Sequence, residues 1–224
     1  MFNFKELEDL FQSSTIKPRF SLVHIILALF IFGEKKEGIG RYRLQNELMI
    51  GSGTAKSLII KLKEKTEFIE TLSDNNVRKG HILTEKGRRF LNTIKKKIPI
   101  IEKGDASILK DIIIESPNNY LYYCLIKSAS NKLSNGIDQR DAAIKIGGIG
   151  ATCLIYDGKD LIFPSISTDP HTRVEANIFN YINNRLSAND FYLEKEDVII
   201  IGVGDNYQKS RLATLNAALT LVDN

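Results

Sequence analysis

Two short helix-forming stretches separated by Ile50-Gly51-Ser52-Gly53 constrain this chain more than any other feature. Glycines there let the backbone turn sharply, so the second stretch leaves the first at a steep angle. In the second, predicted over Thr54–Lys65, Ala55, Leu58, Ile59 and Leu62 recur at i, i+3, i+4 and i+7 and form one stripe to bury. At about 100° per residue, Lys56, Ser57, Ile60 and Lys61 point away from that stripe, while Lys63 and Lys65 lie near its edges.

The flanking elements follow from the same rules. Ser21 caps a helix over Leu22–Phe32 that Gly33 stops, and Arg43–Met49 is the short helix before the glycine break. Phe68–Leu72 and Gly80–Leu83 alternate as strands about the turn-forming Ser73-Asp74-Asn75-Asn76. A basic helix then runs to Lys97 and stops before Pro99. The order is helix, helix, turn, helix, hairpin, helix.

Charge divides the chain in the same place. Residues 1–99 carry 19 Lys and Arg against 11 Asp and Glu, whereas residues 100–224 carry 12 against 16. A basic front joined to a mildly acidic rear predicts two domains, the first of which meets a polyanion. With the helix order, this predicts a winged helix-turn-helix over residues 1–99. The helix 54–65 enters the major groove of double-stranded DNA and the hairpin 68–84 is the wing. Thr54, Lys56, Ser57 and Lys61 are its candidate groove contacts, and Arg41, Arg43, Arg78, Lys79 and His81 its backbone or minor-groove contacts. Arg88, Arg89 and Lys95–Lys97 add further charge.

The strings "IGRYRLQNELMIGSGTAKSLIIKLKEK" and "RKGHILTEKG", with "QRDAAIKIGGIGATCLIYDGKDLIFPSI" further on, resemble archaeal two-domain proteins. These join an N-terminal winged helix to a poorly characterised C-terminal α/β domain, and the likeness covers roughly residues 20–220. The resemblance implies DNA binding and transcriptional regulation, and a rear fold similar to a small two-layer domain of some tRNA-handling enzymes. One departure stands out. Such helices end in a Gly-Leu or Gly-Ile pair before the wing, but here Lys65 is followed by Thr66-Glu67-Phe68. A left-handed cap is costlier without glycine, so the helix exit is expected to run longer or at a different angle.

The fold class expected is α+β, with a boundary near Ile98–Gly104 and a two-layer α/β domain over residues 105–224 that serves dimerisation or ligand sensing. Strands are read at Asp111–Glu115, Tyr120–Ile126, Ala151–Tyr156, Asp160–Phe163 and Val198–Val203. Helices are read at Asp138–Ile146, Arg173–Leu186 and Asn206–Leu221. Gly202, Gly204 and Asp205 form a candidate ligand-binding turn after a buried strand, although Tyr207 occupies the position of a third glycine. Gly147-Gly148-Ile149-Gly150 most simply ends a helix and lets the chain enter the sheet. Asp169-Pro170-His171 with Asp138, Arg140 and Asp141 supplies acid–base side chains but no nucleophile-plus-base spacing, so no catalytic residue is assigned.

Cys124 and Cys153 sit in apolar runs without metal spacing, His24 reads as a core residue, and no metal or cofactor is expected. No apolar run reaches the ~20 residues that span a bilayer, and the acidic start MFNFKELEDLF is not an export signal. A cytoplasmic regulator without a membrane partner is expected. It would be a homodimer, because operators read by such helices are paired half-sites, and a small-molecule effector could act through the rear. The alternative is an RNA-associated or small-molecule enzyme with the front as a docking module.

Overall fold

The computed structural model describes residues 4–11, 19–74, 77–113, 120–164 and 172–222. The chain divides into two units, one ending at Ile94 and the other spanning Lys95–Val222. The fold is mixed α+β, with helices leading the chain and a sheet in its second half.

The front unit begins with a 3₁₀ turn over Phe4–Leu7 and the short helix α1 (Glu8–Phe11), which bury Leu7 and Leu10 completely. Helix α2 (Leu22–Glu34) is buried along Val23–Phe32, which accounts for its nearly continuous apolar sequence. It runs through Gly33 instead of stopping there. A Cβ on Gly33 would meet Leu91 Cδ2 at 2.5 Å, so the residue serves packing. At its start, Ser21 N donates to His24 Nδ1 at 3.1 Å, closing the first turn as a capping box does.

Helices α3 (Arg41–Glu47) and α4 (Ser52–Glu64) follow, then strands β1 (Ile69–Asp74) and β2 (Val77–Leu83) and helix α5 (Glu85–Lys95). α4 buries Ala55, Leu58, Ile59 and Leu62, the stripe its periodicity predicts. β1 and β2 are antiparallel, with a bulge where Leu72 faces Gly80 but Ser73 faces Arg78. Ile39 adds a bridge outside β2: its N–H donates to the His81 carbonyl and its carbonyl accepts from His81 N–H, both at 2.9 Å. Gly80 makes that approach possible, because its φ is +111° and a Cβ would lie 2.5 Å from the Ile39 carbonyl carbon. Phe68 stacks on Phe90 of α5, with ring centroids 4.7 Å apart.

The rear unit is an antiparallel sheet in the order β3-β4-β7-β5-β6, with β3 Ile100–Gly104, β4 Tyr120–Ile126, β5 Gly150–Tyr156, β6 Leu161–Ile162 and β7 Val198–Gly204. Ile100–Gly104, expected as the domain junction, is therefore the edge strand β3. Asp111 and Ile112, expected in a strand, belong to a 3₁₀ turn that follows α6 (Ala106–Leu109), and residues 114–115 lie outside the described residues.

The expected two layers are three. On one face, Leu121, Tyr123, Leu125, Ile199 and Ile201 pack with Ile178, Ile182 and Leu186 of α8 (Ala176–Ser187). On the other, Thr214 of α9 (Tyr207–Val222) donates to the Tyr122 carbonyl at 3.0 Å. α7 (Ile137–Lys145) packs on α9, where Gln139 Nε2 donates to Thr220 Oγ1 at 2.7 Å. The physical reason lies in β7: all seven residues of VIIIGVG are buried, which requires cover on both sides. α7 ends on Gly147 in the left-handed region (φ +93°), with Gly148 N donating to the Ala143 carbonyl at 3.0 Å, the helix-ending role expected for these glycines.

Candidate nucleic-acid interface

The turn between α3 and α4 sets the geometry of the front unit's exposed surface. α3 ends in a Schellman arrangement: Met49 N donates to the Asn46 carbonyl at 3.3 Å and Ile50 N to the Gln45 carbonyl at 3.2 Å. The left-handed residue is Met49, at φ +53°, where glycine is the usual choice. Ile50 and Gly51 then connect to α4, whose N-cap is Gly51. α4 thus starts two residues before the Thr54 boundary expected, and Ser52 and Gly53 belong to its first turn. Nothing lies within 4 Å of a Cβ built on Gly53. Glycine loses more conformational freedom in a helix than alanine does, and no packing among the described residues calls for it here.

On the face of α4 opposite its buried stripe, Gly53 and Lys56 are exposed, Ser57 is partly exposed and Ile60 is 40% exposed. Thr54 is partly buried beside them. Glu64 lies on the same face one turn beyond Ile60, so only the stretch from Gly53 to Ile60 presents a small, neutral-to-cationic surface. Arg43 is exposed on α3, as is Tyr42 at 69%. The Arg41 guanidinium lies 4.9 Å from the Tyr42 ring centroid and donates to Tyr42 Oη at 3.2 Å. Tyr42 and Ile60 are not among the candidate contacts: helical phase places Ile60 outward, but an apolar side chain carries no charge or hydrogen-bonding signal that marks it as a contact.

Other candidates are engaged elsewhere. Lys61 Nζ donates to the Leu10 carbonyl at 2.8 Å, at the C-terminal turn of α1. Lys63 Nζ donates to Thr71 Oγ1 at 3.1 Å. On α5, Arg88 and Arg89 lie 3.5 and 3.7 Å from the Glu85 carboxylate, and Lys86 lies 3.6 Å from Glu67, exposed ion pairs that offset part of the positive charge of this helix. His81 is partly buried in β2, its backbone held by Ile39. The side chains of Arg78 and Lys79 lie outside the described residues.

The exit of α4 resolves the missing glycine. Glu67 takes the left-handed position at φ +57°, and Phe68 N donates to the Leu62 carbonyl at 2.9 Å. The cap forms with a glutamate where glycine is usual, and buried Phe68 anchors it.

In the rear unit, Gly202 and Gly204 serve packing. A Cβ on Gly202 would lie 2.4 Å from Thr214 Oγ1, and one on Gly204 would lie 2.5 Å from Ser210 N. Close approach of α9 to β7 uses both glycines, and Asp205 pairs with Lys209 at 2.6 Å. The Asp169-Pro170-His171 group lies outside the described residues, while Asp138, Arg140 and Asp141 are exposed on α7. A cavity of about 290 Å³ is lined by Asn135, Gly136, Ile137, Arg140, Cys153 and Phe163. Burial pushes the Cys153 thiol up to about 12, and raises Cys124 as well. Among the described residues no cluster of His, Cys, Asp and Glu is placed to hold a metal, and no helix is long and apolar enough to cross a membrane.

Residues 117–221 match a family model described as a domain of unknown function, DUF4443. No curated protein matches the chain. A solved structure, hypothetical protein PH0730 from Pyrococcus horikoshii OT3, is similar over 90% of this chain and 93% of its own length, at a TM-score of 0.64 and 20% identity. At that identity the likeness concerns the fold.

Proposed function

We propose that this protein is a DNA-binding transcriptional regulator whose front unit is a winged helix-turn-helix, with α4 as the recognition helix and β1–β2 as the wing. The observation that carries the reading is the outward face of α4 from Gly53 to Ile60. Gly53 leaves room for a close approach, Lys56 carries a charge with no partner among the described residues, and Ile60 offers an apolar contact of the kind a thymine methyl accepts. The backbone amides at the start of α4, where the N-cap Gly51 supplies no side-chain hydrogen bond, and the arginines at the start of α3 would hold phosphates. The isolated bridge between Ile39 and His81 ties the two-stranded hairpin to the segment before α3, which supports the wing assignment.

Lys61 has a different part in this reading. Its ammonium caps α1 and steadies the flank of α4, so Lys56 and Arg43 become the leading cationic contacts. Neutralising six to eight phosphates gives a slope of about −5 to −7 in a plot of log affinity against log salt. Fluorescence anisotropy of the full chain with random duplex DNA over a salt series tests this. A slope near zero would defeat the proposal.

A further inference from the structure

α7 turns its inner face to α9. Gln139 bonds Thr220, Asn216 Nδ2 donates to the Ala142 carbonyl at 2.7 Å, and Ala143 is buried. Its outer stripe consists of Ile137, Arg140, Asp141 and Ile144, at i, i+3, i+4 and i+7. The two isoleucines are 44% and 48% exposed, and both charged side chains are exposed between them.

The order of this stripe is antisymmetric: apolar, cation, anion, apolar. A two-fold axis passing between two such helices, level with the midpoint of residues 140 and 141, sets Ile137 of one chain against Ile144 of another, and Arg140 against Asp141. An isologous contact requires that self-complementarity, whereas a foreign partner does not. We propose that this stripe is where two copies of the chain pair, their α7 helices antiparallel across a two-fold axis. Arg140 already bonds Asp141 in its own chain at 2.9 Å. Pairing joins two such ion pairs into a ring of four alternating charges, with the isoleucines covering each other at both ends.

The contact is small. Nine residues of helix span about 13 Å, and a helix pair of that length buries less than the ~800 Å² per partner of a standard interface. The dimer is therefore weak by itself and strengthened wherever a second attachment holds both copies together. The inference stands apart from DNA binding, because self-association is read without nucleic acid.

Sedimentation equilibrium of the full chain from about 1 to 200 µM tests it. The wild type is expected to pass from monomer to dimer across this range. Arg140→Asp and Asp141→Arg each set like charges opposite one another and weaken the dimer at least about tenfold. The combined variant restores the complementary order and recovers wild-type association, while Ile144→Glu abolishes it. All four positions are exposed, and an unchanged thermal midpoint verifies that each variant is folded. A wild type that stays monomeric throughout would overturn the proposal. So would single charge variants that associate normally, or a combined variant no better than the singles.

Discussion

Lys61 Nζ reaches the carbonyl oxygen of Leu10 at 2.8 Å, so the last turn of α4 is tied to the short helix α1 across fifty-one positions of sequence. A cation at a helix C-terminus is favourable, and this one is partly buried. Replacing it with methionine keeps the stem and removes the charge. Lys61→Met should lower stability by about 1–2 kcal/mol in urea unfolding of the full chain, where a purely solvated lysine would change it by less than about 0.5.

The hairpin depends on Gly80. Alanine there meets both a disfavoured φ and the Ile39 backbone, so Gly80→Ala should cost more than about 2 kcal/mol. Glu67→Gly should act in the opposite sense. It relieves a left-handed glutamate and raises stability by about 0.5–1 kcal/mol. Thermal unfolding of both variants decides the matter, and a destabilising Glu67→Gly would count against the cap described here.

His24 gives the front unit a pH dependence. Burial holds its pKa below the ordinary 6.5, so the folded chain keeps the ring neutral where the unfolded chain protonates it. Its contribution is fully present above pH 6.5 and is lost as pH falls toward the lowered folded value. The slope is at most about 1.4 kcal/mol per pH unit. His24→Gln keeps an acceptor for the Ser21 amide and should flatten the dependence of stability on pH below 6.5, measured by urea midpoints at each pH.

The two thiols report on the rear core. Cys124 and Cys153 are buried with raised pKa values, so in the folded chain at pH 8 both should react with a thiol reagent far more slowly than after denaturation. Rapid labelling of Cys124 without unfolding would contradict the packing of α9 over β4.

Much of this architecture was legible because it is local. The stripe Ala55, Leu58, Ile59 and Leu62 follows from periodicity alone, and the apolar run of β7 marks a buried strand. What escaped depends on distant partners. Ile100–Gly104 becomes a strand because it pairs with β4 beyond an intervening segment, and its sequence IIEKG alternates too weakly to announce that. Gly33 reads as a stop signal until Leu91, far along the chain, occupies the space a side chain would fill. The candidate site followed the same division. The outward positions of Lys56, Ser57 and Ile60 were readable from helical phase, whereas the engagement of Lys61 by Leu10 was not, since no local rule links those residues.

The most direct measurement compares duplex DNA binding by the full-length wild type, the double variant Arg43→Ala/Lys56→Ala and the control Lys159→Ala, each over a salt series. If α3 and α4 meet the phosphates, the double variant binds more weakly and its log–log salt slope falls by about two, while the control matches wild type. Equal affinities and slopes for all three proteins would contradict the account.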